Sequence, residues 1–329
     1  MRGITGLGVV VLSMLACRQT VVIDQSAIDG GGGGGVDSGD GGPSFCSGPP
    51  TEFFEPPEVI VALDRSTGMG SALGVARDAL ELYAMRYQKV VRFGYVDFPG
   101  AGGLCTPMCG ACPGEITPPP QTPNLDGFLN ALHSCDQGIY CPESGLRPTN
   151  AALQSCAYVF SRRDPYRRYI LLITNGRPDC AMGQSSGCSD AQTTISQLAM
   201  NAVTTHVIAP GQIDPNTTGP CLQGLAISSG TYHPAPTLAE LTDVLGSLTR
   251  SIAEDACDLD PAVRIDNPDL VGVFWQGSPI PQKRNGSDGW ELLNNGNIRL
   301  YGMYCDWLIT NGPGDLVVYP TCNPPPPPH

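Results

Sequence analysis

The sequence predicts an α/β protein built on a doubly wound parallel sheet. Three observations lead there. Apolar runs of strand length recur without polar alternation, as in "VIVALD" (59–64) and "YILLITNG" (169–176). Strands buried on both faces read this way, and parallel sheets bury both faces. Between the runs lie stretches with apolar residues at helical spacing, which supply the crossovers a parallel sheet requires. Two of these stretches open on capping-box patterns, "SDAQ" (189–192) and "TLAE" (237–240).

After "VIVALD", Leu73, Ala76, Leu80, Tyr83 and Tyr87 form a helical stripe, and "VVRFGYVDF" (90–98) is a second strand. Residues 100–147 break the pattern. They carry Cys105, Cys109, Cys112, Cys135 and Cys141 among many prolines and glycines, with "NLDGFLNALHSC" as a short helix. This is a Cys-rich, disulfide-stapled insertion. "TNAALQSCAYVF" (149–160) reads as a helix and "YILLITNG" as the next strand. "SDAQ" opens a helix to about Met200, and "VTTHVIAPG" (203–211) is a strand. "TLAE" opens the last helix, with the stripe Leu238, Leu241, Leu245, Leu248 and Ile252. The result is a doubly wound Rossmann-like sheet over residues 56–254.

Beyond it the texture changes. "LVGVFWQG", "GWELL", "NIRLYG" and "LVVYP" are short strands broken by Gly, Asn and Pro. They predict a small C-terminal antiparallel β module at 257–322, for which Cys257, Cys305 and Cys322 are available staples. Trp275, Trp290 and Trp307 all fall here, as its core or as a binding surface. Residues 323–329 are a polyproline tail.

The chain has 329 residues and a net charge of −13, with Lys, Arg, Asp and Glu together at 15%. Nucleic-acid binding needs a basic face, so that partner is excluded. Fourteen cysteines point to an oxidising compartment. A basic start at Arg2 and an apolar run from Ile4 to Leu15 read as a signal peptide over residues 1–16, too short to span a bilayer. "SMLAC" resembles a bacterial lipoprotein signal, which implies lipidation at Cys17 and anchoring at the outer membrane or cell surface; ordinary secretion is the alternative. Residues 17–55 then form the anchor and an acidic Gly-rich linker. Its part from 18 to 44 has an r.m.s. span of roughly 25–30 Å as flexible coil.

Parallel sheets bind ligands beyond the C-terminal ends of their strands. Asp64 and Asn175 fall at such ends, and Thr149 where a helix begins. The strand-to-loop "VALDRSTGMG", then "RPTNAAL", then "ILLITNGRPDC", in that order, resemble the von Willebrand factor A (VWA) domain. The resemblance implies a metal-ion-dependent adhesion site holding Mg or Mn. Asp64, Ser66 and Thr149 match three of its five positions. The second serine falls on Gly68 and the last aspartate on Asn175. One hydroxyl and one carboxylate are therefore missing from a set that must hold a hard dication in a tight octahedron. Thr67 and Asp179 are candidate compensators, with Asp97 at the end of the second strand. The other reading is that Asp64 and Ser66 tie down a turn.

"CTPMCGAC" has spacings found in metal sites, but in an exported chain it reads as disulfides. Cys180 and Cys188 flank the loop after the "YILLITNG" strand and are expected to pair. With Cys17 lipidated, an odd number of cysteines remains. Cys156, on a helix that packs into the core, is the expected free thiol. The four histidines lack metal-pair spacing, and no nucleophile elbow, phosphate loop or dinucleotide fingerprint occurs. The chain therefore reads as a non-enzymatic cell-envelope lipoprotein mediating protein–protein interaction or adhesion. A structural envelope component without a ligand at the loop, and an exported hydrolase, are the alternatives.

Overall fold

The computed structural model describes Cys46 and residues 55–99, 116–120, 124–134, 147–161, 167–179, 187–227, 230–261, 265, 267–283, 288–314 and 316–322. The expected signal peptide, Cys17, the linker apart from Cys46 and Glu55, the five insertion cysteines, Cys180 and the proline tail lie outside them.

Strands β1 (Glu58–Asp64), β2 (Arg92–Phe98), β3 (Arg168–Ile173), β4 (Val203–Pro210) and β5 (Tyr232–Ala235) form one sheet in the order β2-β1-β3-β4-β5. Every pairing is parallel. Successive side chains point to opposite faces, so each strand feeds two apolar layers. Val59, Val61, Leu63, Leu171 and Ile173 face α1 (Ser71–Tyr87), α2 (Asp126–Leu132) and α6 (Leu238–Asp255). Ile60, Ala62, Ile170, Leu172 and Val207 face α3 (Thr149–Phe160), α4 (Gly187–Met200) and α5 (Thr218–Ala226). This is the doubly wound arrangement expected.

The insertion returns to the sheet where it is described. Thr117 pairs with Tyr95 through two hydrogen bonds of 2.8 Å. Gly94 leaves room for it: a Cβ there would fall 2.7 Å from the Pro119 nitrogen. Phe128 of α2 then covers Phe93 and Tyr95, with ring centroids 5.5 and 6.0 Å apart.

The "TLAE" capping box forms. Thr237 Oγ1 accepts from the Glu240 amide, and the Thr237 amide donates to the Glu240 carboxylate. The "SDAQ" box does not. Helix α4 starts at Gly187, and the Ser189 carbonyl accepts from the Thr193 hydroxyl inside the helix. Two contacts set the earlier start: Gly187 lies against the Pro178 backbone with no room for a Cβ, and Cys188 is bonded to Cys221. That disulfide corrects the expected Cys180–Cys188 pair. Cys188 sits in the first turn of α4, which packs beside α5, and Cys221 is on α5. Helix α5 and strand β5 ("YHPA") were not expected from the sequence. Both are short, and Gly or Pro interrupts their apolar pattern. Cys156 is free and buried, as anticipated, and burial pushes its thiol up to about 12.

The C-terminal region holds two three-stranded antiparallel sheets. One is β6 (Asp258–Leu259), β10 (Ile298–Tyr301) and β9 (Gly289–Leu292), in that order. The other is β11 (Leu316–Tyr319), β7 (Gly272–Trp275) and β8 (Ser278–Pro279). Gln276 and Gly277, both at positive φ, make the tight turn of the β7–β8 hairpin. A helix absent from the expected module, α7 (Met303–Asn311), packs on α1 and α6. Its apolar residues share one continuous core with the parallel sheet, from Val59 to Val318. Trp275 and Trp290 belong to that core, and Trp290 Nε1 donates to the Ile280 carbonyl at 3.1 Å. Trp307 does not: it is 40% exposed. Cys257–Cys305 staples the region and Cys46–Cys322 closes it.

A pair of imidazoles lies between β4 and β5. His206 Nδ1 and His233 Nε2 share the Thr231 hydroxyl at 2.8 and 2.6 Å. Burial, and then the neighbouring His233, lower His206 from its ordinary 6.5 to about 4. A lowered pKa means that the folded state keeps the ring neutral while the unfolded chain takes up a proton. The stability this supplies is complete above 6.5 and is lost as pH falls towards 4. It amounts to about 2 kcal/mol once partial exposure is allowed for. Urea midpoints should drop further between about pH 7 and about pH 4.5 for the wild type than for His206→Phe. Equal drops would contradict this.

Candidate functional site

The site begins where β1 ends. Asp64 is level with Phe98 on β2, and Leu63 with Ile173 on β3, so Thr174, Asn175 and Gly176 emerge beside Asp64. The chain then turns sharply. The Ser66 amide donates to Asp64 Oδ1 at 2.8 Å, and a single 3-10 turn, Thr67–Met69, leads into α1. Met69, buried, anchors the turn. The Thr174 hydroxyl donates to Asp64 Oδ2 at 2.7 Å. Asn175 Nδ2 donates to the Gly68 carbonyl and ties the two loops together.

Asp64, Ser66 and Asn175 thus share one network at the strand tips. Thr149, fully buried, joins it through Arg147, whose carbonyl accepts from the Thr149 amide at 2.8 Å. Thr67 is exposed on the outer side of the turn. Asp179 holds the Arg147 main chain from both sides: its carboxylate accepts from the Arg147 amide, and its amide donates to the Arg147 carbonyl. Burial raises the Asp179 pKa, opposed by the Arg147 amide and charge and reinforced by Asp64. Asp97 is paired with the buried Arg65. Two polar atoms of the network, Ser66 Oγ and Asn175 Oδ1, are buried without a hydrogen-bond partner among the described residues.

Arg147 was not foreseen as a site residue. Its Nε donates to Asp64 Oδ2 at 3.1 Å, and its side chain is 19% exposed against 0% for Asp64. The guanidinium lies between two glycines. A Cβ on Gly68 would overlap Nη2, and one on Gly176 would overlap Nε and Cζ. The signal was present in the sequence: an arginine two residues before the site threonine, with glycines at both loop positions flanking it.

The residues present do not fit a divalent ion. Both Asp64 oxygens are already engaged, by Ser66, Thr174 and Arg147. A dication on Asp64 would also stand close to a fixed positive charge. At about 4 Å the repulsion is about 8 kcal/mol for an effective dielectric of about 20. Among the described residues no group of three His, Cys, Asp or Glu side chains converges.

A five-stranded parallel sheet with helices on both faces thus carries Asp64, Thr149 and Asn175 at one end. This is the arrangement that the resemblance to the von Willebrand factor A domain implies. No protein-family model matches the chain, and no curated protein matches its sequence. Among solved structures, the chain is similar to the pilus adhesin SpaC from Lactobacillus rhamnosus GG in its open conformation. That match has a TM-score of 0.49 and 12% identity, and covers 82% of this chain and 39% of the adhesin. A von Willebrand factor type A protein from Catenulispora acidiphila matches at a TM-score of 0.42 and 15% identity, over 75% of this chain and 54% of that one. Proximal thread matrix protein 1 from the mussel byssus, solved with a zinc-occupied MIDAS motif, matches at 0.42 and 16%, over 62% and 49%. The chain therefore spans about two fifths to one half of these solved chains. The three disulfides among the described residues are those of a chain in an oxidising compartment. Among the described residues no helix is long and apolar enough to cross a membrane.

Proposed function

We propose that the chain is an exported, non-enzymatic module for adhesion or protein–protein interaction, held at the cell surface by a lipid on Cys17 and a Gly-rich tether. Its partner, a protein, docks on the strand-tip face around Ser66, Thr67, Gly68 and Asn175. The observation that carries this reading is the pair of unpartnered polar atoms, Ser66 Oγ and Asn175 Oδ1, beside the partly exposed Arg147 guanidinium. Buried polar atoms in folded proteins are almost always satisfied, and those that are not call for a reason. A docked partner meets the exposed Thr67 and Gly68 and the partly exposed Arg147 guanidinium first, and its groups would reach the two buried atoms as the strand-tip loops part. Among the described residues no base is hydrogen-bonded to the Ser66 hydroxyl, and a binding role is proposed for it rather than a nucleophilic one.

The reading is tested with a photo-crosslinking amino acid in the full chain on cells that display it. Thr67 is exposed at the strand tips, and Asn201 is exposed before β4, at the opposite end of the parallel strands. Adducts with a protein partner should form at Thr67 and not at Asn201. Adducts at Asn201 alone, or equally at both, would overturn the proposal.

A further inference from the structure

We infer that Arg147 is the resident cation of the strand-tip site: its guanidinium fills the space beside Asp64 that a divalent ion would need, so this face works without metal. The inference takes its place in the molecule from the proposed docking face, but its test uses no partner. Failure of the one is therefore distinguishable from failure of the other.

Charge is the first support. Asp64 is fully buried, and a buried carboxylate needs a counter-charge. Arg147 supplies it: one negative and one positive group cancel, and Asn175, uncharged, leaves the balance intact. A second carboxylate at position 175 would have called for a doubly charged ion.

Space is the second support. Gly68 lacks the hydroxyl expected by resemblance, and it also lacks the Cβ that would overlap the guanidinium. Gly176 makes the same allowance on the other side. Gly68, which reads from the sequence as a lost ligand, and Gly176 thus serve one purpose, room for an arginine.

Fixation is the third. The Arg147 carbonyl accepts from the Thr149 amide at 2.8 Å and the Asp179 amide at 3.1 Å, while the Arg147 amide donates to the Asp179 carboxylate. The main chain is clamped and the side chain is directed at Asp64. Asp179, considered from sequence as a spare metal ligand, positions the arginine instead. With Nε committed to Asp64, the other guanidinium nitrogens remain as donors for a carboxylate or carbonyl on the partner. Engagement of this face should resist EDTA.

The experiment is a Mn²⁺ titration of the full chain, followed by loss of the free-ion EPR signal up to millimolar metal. Asp64→Asn controls for ions held elsewhere on this acidic chain. The wild type should bind no more Mn²⁺ than Asp64→Asn, and Mg²⁺ or EDTA should leave its Tm unchanged. Arg147→Gln, which removes the charge, should gain saturable Mn²⁺ binding. Gly176→Ala, which displaces the guanidinium without deleting it, should do the same. Wild-type binding that Asp64→Asn abolishes would overturn the inference. So would a folded Arg147→Gln or Gly176→Ala that binds no better than wild type, since something other than Arg147 would then exclude the metal. If Arg147→Gln fails to fold, the wild type and Gly176→Ala decide.

Discussion

Arg147→Ala is expected to destabilise the chain by about 3 kcal/mol, lowering Tm by about 6–12 °C. Removing one partner of a buried ion pair typically costs about 3–5 kcal/mol, because the other charge stays behind in low dielectric. The lower end applies for two reasons. Arg147 is partly exposed, so the pair is not fully desolvated. Asp64 also keeps the Ser66 amide and the Thr174 hydroxyl. The two halves of the pair are not equivalent. Asp64→Asn leaves no buried charge, since the guanidinium can swing into water, and should cost only about 1–2 kcal/mol. Adding Asp64→Asn to Arg147→Ala should therefore recover stability rather than remove more. In a double-mutant cycle the coupling should be at least about 1 kcal/mol. An Arg147→Ala loss below about 1 kcal/mol, the range of a surface ion pair, would show that water already screens Asp64.

Most of the parallel sheet was legible because its strands are buried on both faces. "VIVALD" and "YILLITNG" are apolar without interruption, and no competing pattern fits them. The "TNAALQSCAYVF" helix runs over the very residues read from the sequence, Thr149 to Phe160. Elements whose burial is partial were harder. Strand β5 lies at the sheet edge with His233 and Pro234 in a four-residue span, so it shows neither apolar continuity nor alternation. Helix α7 carries Met303, Tyr304 and Trp307 on its exposed or half-buried sides, which blurs its period. The start of α4 failed for another reason. "SDAQ" has the composition of a capping box, yet a disulfide and the close approach of Gly187 to Pro178 begin the helix two residues earlier. Tertiary contacts overrode a local signal worth about 1 kcal/mol.

The site divides the same way. Asp64, Ser66 and Asn175 follow from strand ends, which sequence locates well. Arg147 does not, because it reaches Asp64 from 83 residues away. Its one local mark is its place two residues before Thr149, and its space is made by glycines on two other loops. A comparison of positions one at a time finds what a site lacks at Gly68 and Asn175. What replaces the missing groups shows only when the loops are placed together.

Loss of the Cys46–Cys322 bond, by the paired change Cys46→Ala and Cys322→Ala, is expected to cost about 4–5 kcal/mol, more than loss of either other described disulfide. It joins residues 276 apart, against 33 for Cys188–Cys221 and 48 for Cys257–Cys305. The entropy that a crosslink removes from the unfolded chain rises with the logarithm of loop length. The advantage over the shorter loops is therefore only about 1.5–2 kcal/mol. The inner bonds shorten the path somewhat without reversing the order. Native packing adds to the entropic term. Cys322 is buried, its amide donates to the Leu270 carbonyl, and Cys46 bridges to it as an extra antiparallel partner. A Cβ on Gly272 would fall 2.6 Å from Cys322 Sγ, so the crosslink sits directly against β7. Because β7 and β11 share the core that reaches Val59, loosening them should lower the whole transition rather than release a separate module. Urea melts of the three alanine pairs decide the point. One cooperative transition, shifted furthest for the Cys46/Cys322 pair, is the expected result. A first transition confined to Trp275 and Trp290 fluorescence, with the parallel sheet melting later, would show that the C-terminal sheets unfold independently. A smaller shift than for the Cys188/Cys221 pair would show that the unfolded chain does not gain the freedom that the long loop implies.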